Sequence, residues 1–282
     1  MNHNKIIHLT CKDKNNIDNK IWNESLKGYK DIYKDYEIKI YDNEDIYKIV
    51  EKHYPKYLRN IKKIKIGAVL ADIFRYLILY LEGGIYSDFD CMPINNKNIK
   101  NLFNETYYHG NPNSNDGLIY IYDNLPKNKV LKQESFCDYH INPCDNSTFI
   151  KQNNDHKVFK CNGHKINKNI KTVVCYEFIK YNQICQWFII SEAKQKVFLQ
   201  CFIQCMKNIN ILKNLDKKNI NYNDIVMKNS GPELFSKYIH IYKKKNNNIL
   251  ILPETFFCTG SGNYVPTTKY SYVKHYFTSS WR

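Results

Sequence analysis

The chain has 282 residues and a formal net charge of 42 − 27 = +15. No uninterrupted run of about 18 apolar residues is present, which argues against a membrane-spanning helix, and no Gly/Ser/Pro-rich linker divides the chain, so one large α/β domain over 1–282 is expected. The first residues carry no signal-peptide apolar segment, so the expected location is cytoplasmic.

The charge fits an anionic partner such as nucleotide phosphates, nucleic acid, an acidic glycan or a membrane surface, but the scattered lysines fit a solvated lysine-rich surface better. A nucleic-acid-binding role is not expected, because the basic residues do not cluster with interleaved aromatics and no known module is recognisable. The ten cysteines include no Cys-x-x-Cys pair. In a reducing compartment they serve as small buried apolar residues. Cys201 and Cys205, at i,i+4 in an apolar helical run, fit core packing.

Taken in order, Ile6-Ile7-His8-Leu9 reads as a first strand. Helical spacing follows from about Asp18 to Tyr29, and Tyr36 to Tyr41 alternates as a second strand. Asp42 or Asn43 caps a helix running to about His53. Strand, helix, strand, helix begins a Rossmann-like, mainly parallel sheet flanked by helices. The strongest helix, about Ile66 to Glu82, has a broad apolar face of Val69, Leu70, Ile73, Phe74, Leu77, Ile78 and Leu81. Gly83-Gly84 stops it. Asp72 and Arg75, at i,i+3, meet on this helix as a surface ion pair or as part of a site.

The strand after the glycines, Ile85-Tyr86-Ser87-Asp88-Phe89-Asp90, places Tyr86, Asp88 and Asp90 on one face by alternation. Two carboxylates side by side repel unless a cation or solvent lies between them. They therefore suit a hard divalent metal and the phosphates it carries, or else they are a solvated loop. A short helix is expected near Ile99 to Asn104. From about 105 to 180 the pattern breaks into hairpins and loops, read as an insertion, with Thr172 to Tyr176 returning to the sheet. Within it, Cys137-x-x-His140-x-x-x-Cys144 and Cys161-x-x-His164 have ligand types and spacings compatible with structural zinc, or are unrelated polar-loop residues. Asn104-Glu105-Thr106 and Asn146-Ser147-Thr148 are glycosylation sequons, without meaning in a cytosolic protein. Ser191 to about Ile211 is a second long helix. Ser230-Gly231-Pro232-Glu233 reads as a capping box with Ser230 as N-cap. Ile249 to Pro253 is a buried strand, and His275 and Trp281 lie in the tail.

The block from Ala71 to Asp90, ADIFRYLILYLEGGIYSDFD, resembles the signature of glycosyltransferases with a DXD sugar-binding region. That family includes yeast-type initiating α-1,6-mannosyltransferases, capsular polysaccharide sugar transferases and the related clostridial toxin glucosyltransferases. Lys5-Ile6-Ile7-His8 resembles its first strand, Ser230-Gly231-Pro232 its Gly–Pro turn, and Tyr272-Val273-Lys274-His275 with Ser280-Trp281 its closing segment. The resemblance implies a GT-A fold and a metal-dependent, retaining transfer of a hexose from a nucleotide sugar to a hydroxyl of a glycan, glycolipid or glycoprotein. Manganese is the metal it implies, with Mg2+ as the alternative, and a UDP-sugar is placed before GDP-mannose as donor. By the same resemblance Asp90 ligates the metal, and Asp88 meets the ribose and metal-bound water. Tyr86 lines the nucleoside pocket, while Asp72 and Arg75 orient the donor sugar. His275 is a further metal or phosphate contact, or an ordinary histidine. Trp281 closes over the diphosphate, or only anchors the tail. His8 lies at the nucleotide end of the first strand. Where the family often has a tryptophan after that histidine, this chain has Thr10-Cys11-Lys12, so a base-stacking aromatic is absent or comes from elsewhere.

A non-catalytic sugar- or nucleotide-binding relative would keep the fold without turnover; the intact Asp72, Arg75, Asp88 and Asp90 argue for the enzyme. The Lys/Asn/Ile/Tyr bias fits AT-rich coding, as in an AT-rich parasite or a large DNA virus.

Overall fold

The computed structural model describes residues 1–15, 19–94, 96–102, 106–107, 118–122, 147–153, 156–161, 164–165, 169–178, 182–216, 218, 221–252, 254, 256–260, 267 and 271–278; for the strands between 106 and 165 it describes the backbone alone. The first third runs β1 (Ile6–Thr10), α1 (Lys20–Ile32), β2 (Glu37–Tyr41), α2 (Asn43–His53), α3 (Pro55–Ile61), α4 (Gly67–Leu81), β3 (Gly84–Asp88), β4 (Cys91–Pro93) and α5 (Ile99–Leu102). Five strands follow: β5 (Thr106–Tyr107), β6 (Leu118–Tyr122), β7 (Ser147–Asn153), β8 (His156–Cys161) and β9 (His164–Lys165). The rest is β10 (Thr172–Phe178), β11 (Gln183–Ile184), β12 (Phe188–Ser191), α6 (Lys196–Lys207), α7 (Ile209–Asn214), α8 (Tyr222–Asn229), α9 (Pro232–Lys245), β13 (Ile249–Leu252), β14 (Thr259–Gly260) and β15 (Val273–His275).

The expected α/β sheet flanked by helices is present. Its seven strands are mixed: β1 pairs in parallel with β2 and β3, and β10 with β13. β12 lies antiparallel between β3 and β10, and β11 extends the same edge of β10. Parallel pairing thus accounts for half of the ladder. One face packs on α4, α6 and α9, and the other on α1, β4 and β15. The strand expected from Thr172 is found as β10, and within the insertion β6, β8 and β7 form a separate antiparallel sheet. Among the described residues no helix is long and apolar enough to cross a membrane.

Three local features set the site. Asp42 caps α2 through a reciprocal capping box with Asp45, which satisfies two orphan helix groups. α4 is buried on all sides from Val69 to Leu79, so its polar Asp72 and Arg75 are enclosed instead of lying at the edge of an apolar face. Gly83 and Gly84 turn the chain into β3 with φ of 66° and 94°. A Cβ on Gly84 would sit 2.6 Å from the Ile6 carbonyl, so only glycine lets β3 pass so close to β1.

Two expected elements differ. The helix drawn from Ser191 is instead the end of β12, a short turn and then α6 and α7, broken at Asn208. β12 is buried throughout and has no polar alternation to mark its end at Ser191. The expected capping box at Ser230 does not form: Gly231 is the N-cap of α9, no side chain caps it, and Pro232 opens the helix. Cys201 and Cys205 are buried in α6, as expected for core packing.

A candidate functional site at the end of β3

β3 ends at Asp88, and Phe89-Asp90 is a turn. Strand alternation therefore holds for Tyr86 and Asp88, and stops before Asp90. The expectation that all three share one face is corrected here: Asp88 points to the α4 side and Asp90 to the C-terminal strand.

On the α4 side, Arg75 Nη2 lies 3.3 Å from Asp72 Oδ1 and 3.3 Å from Asp88 Oδ1. The guanidinium also lies over the Tyr86 ring, 4.8 Å from its centroid. Asp88 Oδ1 accepts a second hydrogen bond from the Tyr86 hydroxyl at 2.9 Å. Thr10 Oγ1 is 3.0 Å from the same hydroxyl. Asp72 Oδ2 accepts from Ser230 Oγ at 2.9 Å. Burial pushes the Asp72 carboxyl up to about 6, against the pull of Arg75 and the Ser230 hydrogen bond. Only one guanidinium serves two carboxylates here, and Arg75 Nε is buried without a hydrogen-bond partner among the described residues. Asp88 keeps a partly exposed carboxylate, 21% accessible, while the Asp72 and Arg75 side chains are each 6% accessible. Asp88 is therefore the member open to solvent, and Asp72 and Arg75 form the wall behind it.

On the other side, Asp90 Oδ1 is 3.1 Å from His275 Nε2. Asp90 Oδ2 accepts from the Thr278 amide at 2.8 Å and from its hydroxyl at 2.9 Å. Burial works against ionisation, yet His275 and Thr278 together hold the Asp90 carboxyl below the usual carboxylate range. The His275 ring stacks on Trp187 with centroids 4.5 Å apart, and β15 pairs with β4 so that His275 stands opposite Cys91. His275 Nδ1 is buried with no hydrogen-bond partner among the described residues. Asp90, Cys91 and His275 each offer a ligand atom, and these atoms lie within 4.8 Å of one another. An oxygen, a nitrogen and a sulfur atom fit a divalent transition ion better than magnesium, which favours oxygen alone.

His8 is placed elsewhere. It is fully buried, its Nδ1 3.0 Å from the Tyr41 hydroxyl and its Nε2 2.8 Å from the Gly83 carbonyl. Burial lowers its pKa to about 4, so it is neutral. With both ring nitrogens engaged, it ties β1 to the glycine turn and to β2. Tyr86 is likewise enclosed, and reaches the site only through its hydroxyl. Trp281 lies outside the described residues, as do Cys137, His140 and Cys144; the side chains of Cys161 and His164 lie outside them too. Sequence reasoning missed Thr278, Trp187 and the role of Ser230. Nothing in the spacing marks Thr278 or Trp187, because their partners are distant in sequence; Ser230 stands out in the sequence, but as a cap.

This geometry coincides with a family match. Residues 3–108 match the family model "Glycosyltransferase sugar-binding region containing DXD motif". The matched stretch contains Asp72, Arg75, Asp88 and Asp90. Over 86 residues it is 37% identical to "Inositol phosphoceramide mannosyltransferase 3" of Schizosaccharomyces pombe, covering 30% of this chain and 24% of that protein. It is 33% identical over 86 residues to "Mannosyl phosphorylinositol ceramide synthase SUR1" of Saccharomyces cerevisiae, covering 30% of this chain and 22% of that one. The chain therefore spans about a quarter of the length of these curated relatives. Among solved structures, the PaToxG glycosyltransferase aligns with a TM-score of 0.42 and 15% identity, over 85% of this chain and 70% of that one.

Proposed function

We propose that residues 1–282 form one metal-dependent, retaining hexosyltransferase domain of GT-A type, with the insertion at about 105–180 as a peripheral feature. It moves a hexose from a nucleotide sugar to a hydroxyl of a glycan, lipid or protein. The observation that carries this reading is the Arg75 bridge between Asp72 and Asp88, set beside the Asp90–His275–Thr278 knot within a DXD region. Both relatives carry a mannosyl group and an inositol-containing ceramide in their names. Mannose therefore ranks first as the transferred hexose, ahead of the UDP-sugars that the sequence resemblance favours, and an anionic lipid is an acceptor consistent with the charge of +15.

Asp90 and His275 would hold the metal, with Asp88 beside it. A bound divalent ion supplies Lewis-acid neutralisation of the charge that develops on the departing diphosphate. The chain's own groups orient the sugar: Asp88 accepts hydrogen bonds from donor hydroxyls, while Arg75 holds Asp88 in place. Asp72, tied to Ser230, fixes Arg75 in turn. Retention is expected from same-face attack by the acceptor.

The test is a donor screen with manganese, reading release of free nucleotide from GDP-mannose, UDP-glucose and related donors. Asp90→Asn is expected to abolish release. Release that survives both EDTA and this substitution would sink the mechanism, and an inverted product anomer would remove retention.

A further inference from the structure

A cavity of about 290 Å³ lies outside the site described above, with Lys171, Lys194, Gln195, Lys196, Tyr242 and Asn248 in its lining. Three parts of the chain build it: the approach to β10, the turn from β12 into α6, and the end of α9 with its link to β13. Thr172 at this cavity pairs with Ser191, and Ser191 pairs with Gly84. The cavity therefore lies at the end of the sheet where β3 begins. Asp88 stands where β3 ends, so the five residues of that strand separate the two places.

Three lysines meet at this space, and among the described residues no Asp or Glu lines it. None of the three forms a salt bridge among the described residues, whereas Lys5, Lys14, Lys39 and Lys100 are each paired with a carboxylate. Glu192, the carboxylate closest in sequence, accepts instead from the Asn2 amide at 2.6 Å. Lys194 is held in place. Its φ is 63°, uncommon for any residue but glycine, and its amide donates to the Tyr80 carbonyl at 2.8 Å. Its Nζ lies over the Tyr80 ring, 4.9 Å from the centroid. Asn248 Nδ2 donates to Gln195 Oε1 at 3.3 Å and ties two walls of the cavity together. Lys196 and Val197 open α6, which no side chain caps, so its first amides add donors on this side. Three like charges around one cavity repel each other, and a bound anion removes that repulsion.

We propose that this cavity binds a phosphate group, presented by a soluble phosphate ester or by the headgroup of a lipid. The ammonium groups of Lys171, Lys194 and Lys196 supply the charge, and the amides at the start of α6 supply directed hydrogen bonds. The volume is at the small end of the range for ligand sites and suits a phosphate that carries one ring-sized group. Held on a lipid, the phosphate would seat this end of the sheet against a bilayer; held on a soluble ester, it would be a bound effector. The proposal does not rest on the glycosyltransferase reading, because the cavity shares no residue with the Asp88 and Asp90 site.

The test uses the full chain in EDTA, so that no metal-borne phosphate is read. Inorganic phosphate is titrated and followed by phosphorus NMR, and co-sedimentation is measured with phosphatidylcholine vesicles carrying phosphatidylinositol phosphate or, at matched charge, phosphatidylserine. Lys194→Met with Lys196→Met keeps the side-chain stems and removes two charges. This pair is expected to weaken binding by about ten-fold or more. Lys27→Met with Lys30→Met removes the same charge from exposed positions of α1 and is expected to change binding by less than about two-fold. All four positions are exposed, and unchanged circular dichroism is expected to show both proteins folded. Saturable binding of free phosphate without preference among the vesicles identifies a soluble ester, and preference for the inositol phosphate vesicles identifies a headgroup. Saturable binding of neither probe, or a loss at Lys194 and Lys196 no larger than at Lys27 and Lys30, would overturn the site.

Discussion

The two carboxylates of the DXD motif stand two residues apart and live in opposite surroundings. Asp88 belongs to a wall built from nearby sequence: Arg75, thirteen residues before it, and Tyr86, two before it. Asp90 belongs to a knot closed by the far end of the chain, with His275 and Thr278 at separations of 185 and 188 residues. The first wall is short of positive charge, with one guanidinium between two carboxylates and Asp72 pushed up to about 6. The second is rich in donors, and its carboxyl is held down. The contrast suggests a division of labour. On the proposed function, the local wall would orient a neutral sugar and the knot would keep an ionised ligand for a cation.

The sharpest way to break this comparison is Asp90→Asn. Turnover is expected to fall by about 10²- to 10³-fold or more, as for loss of a central electrostatic group. Denaturant stability should change far less, since the amide oxygen still accepts from Thr278. An unfolded Asp90→Asn protein would show that the knot is structural first. Next comes Arg75→Met, which leaves Asp72 and Asp88 without their shared cation. A loss of about 3–5 kcal/mol in urea unfolding is expected; a neutral result would mean that the wall is solvated. Smaller is Ser230→Ala, which removes the donor to Asp72 and should cost about 1–3 kcal/mol. It should also lower turnover without lowering metal affinity, because it touches the Asp88 wall alone.

The smallest effect is in pH dependence. Asp72 has a folded pKa of about 6, above its unfolded value of 3.8. The folded state holds the proton longer, so this stabilising contribution is complete below about pH 4 and lost as pH rises through about 6. His8 and Glu177 also titrate near this range, so the measurement is the difference between wild type and Asp72→Asn, by urea unfolding from pH 4 to 7. That difference should shrink in favour of the wild type as pH rises. A pH-independent difference would mean that Asp72 is ionised throughout, as in an ordinary ion pair.

Much of the local wall is legible without coordinates. Helical period, the double glycine and the alternation of β3 place Asp72, Arg75, Tyr86 and Asp88 together, because each contact lies within a helix, a turn or a strand. The same rules fail at their limits. Alternation carries one residue too far, to Asp90, because the point where a strand turns depends on what it packs against. Ser230 reads as a helix cap from its neighbours, yet its hydroxyl serves Asp72, 158 residues away. His8 reads as a nucleotide contact, but the narrow approach of β3 to β1 at Gly84 encloses it.

The sequence by itself determined the α/β class, the DXD block and the residues of the helix and strand that carry it, since periodicity and glycine chemistry act over a few residues. Only the tertiary structure decided which partners each carboxylate received. The return of β15 beside β4 gave Asp90 its histidine and threonine. Those pairings come from strand order and burial over a hundred residues or more, and no local pattern encodes them.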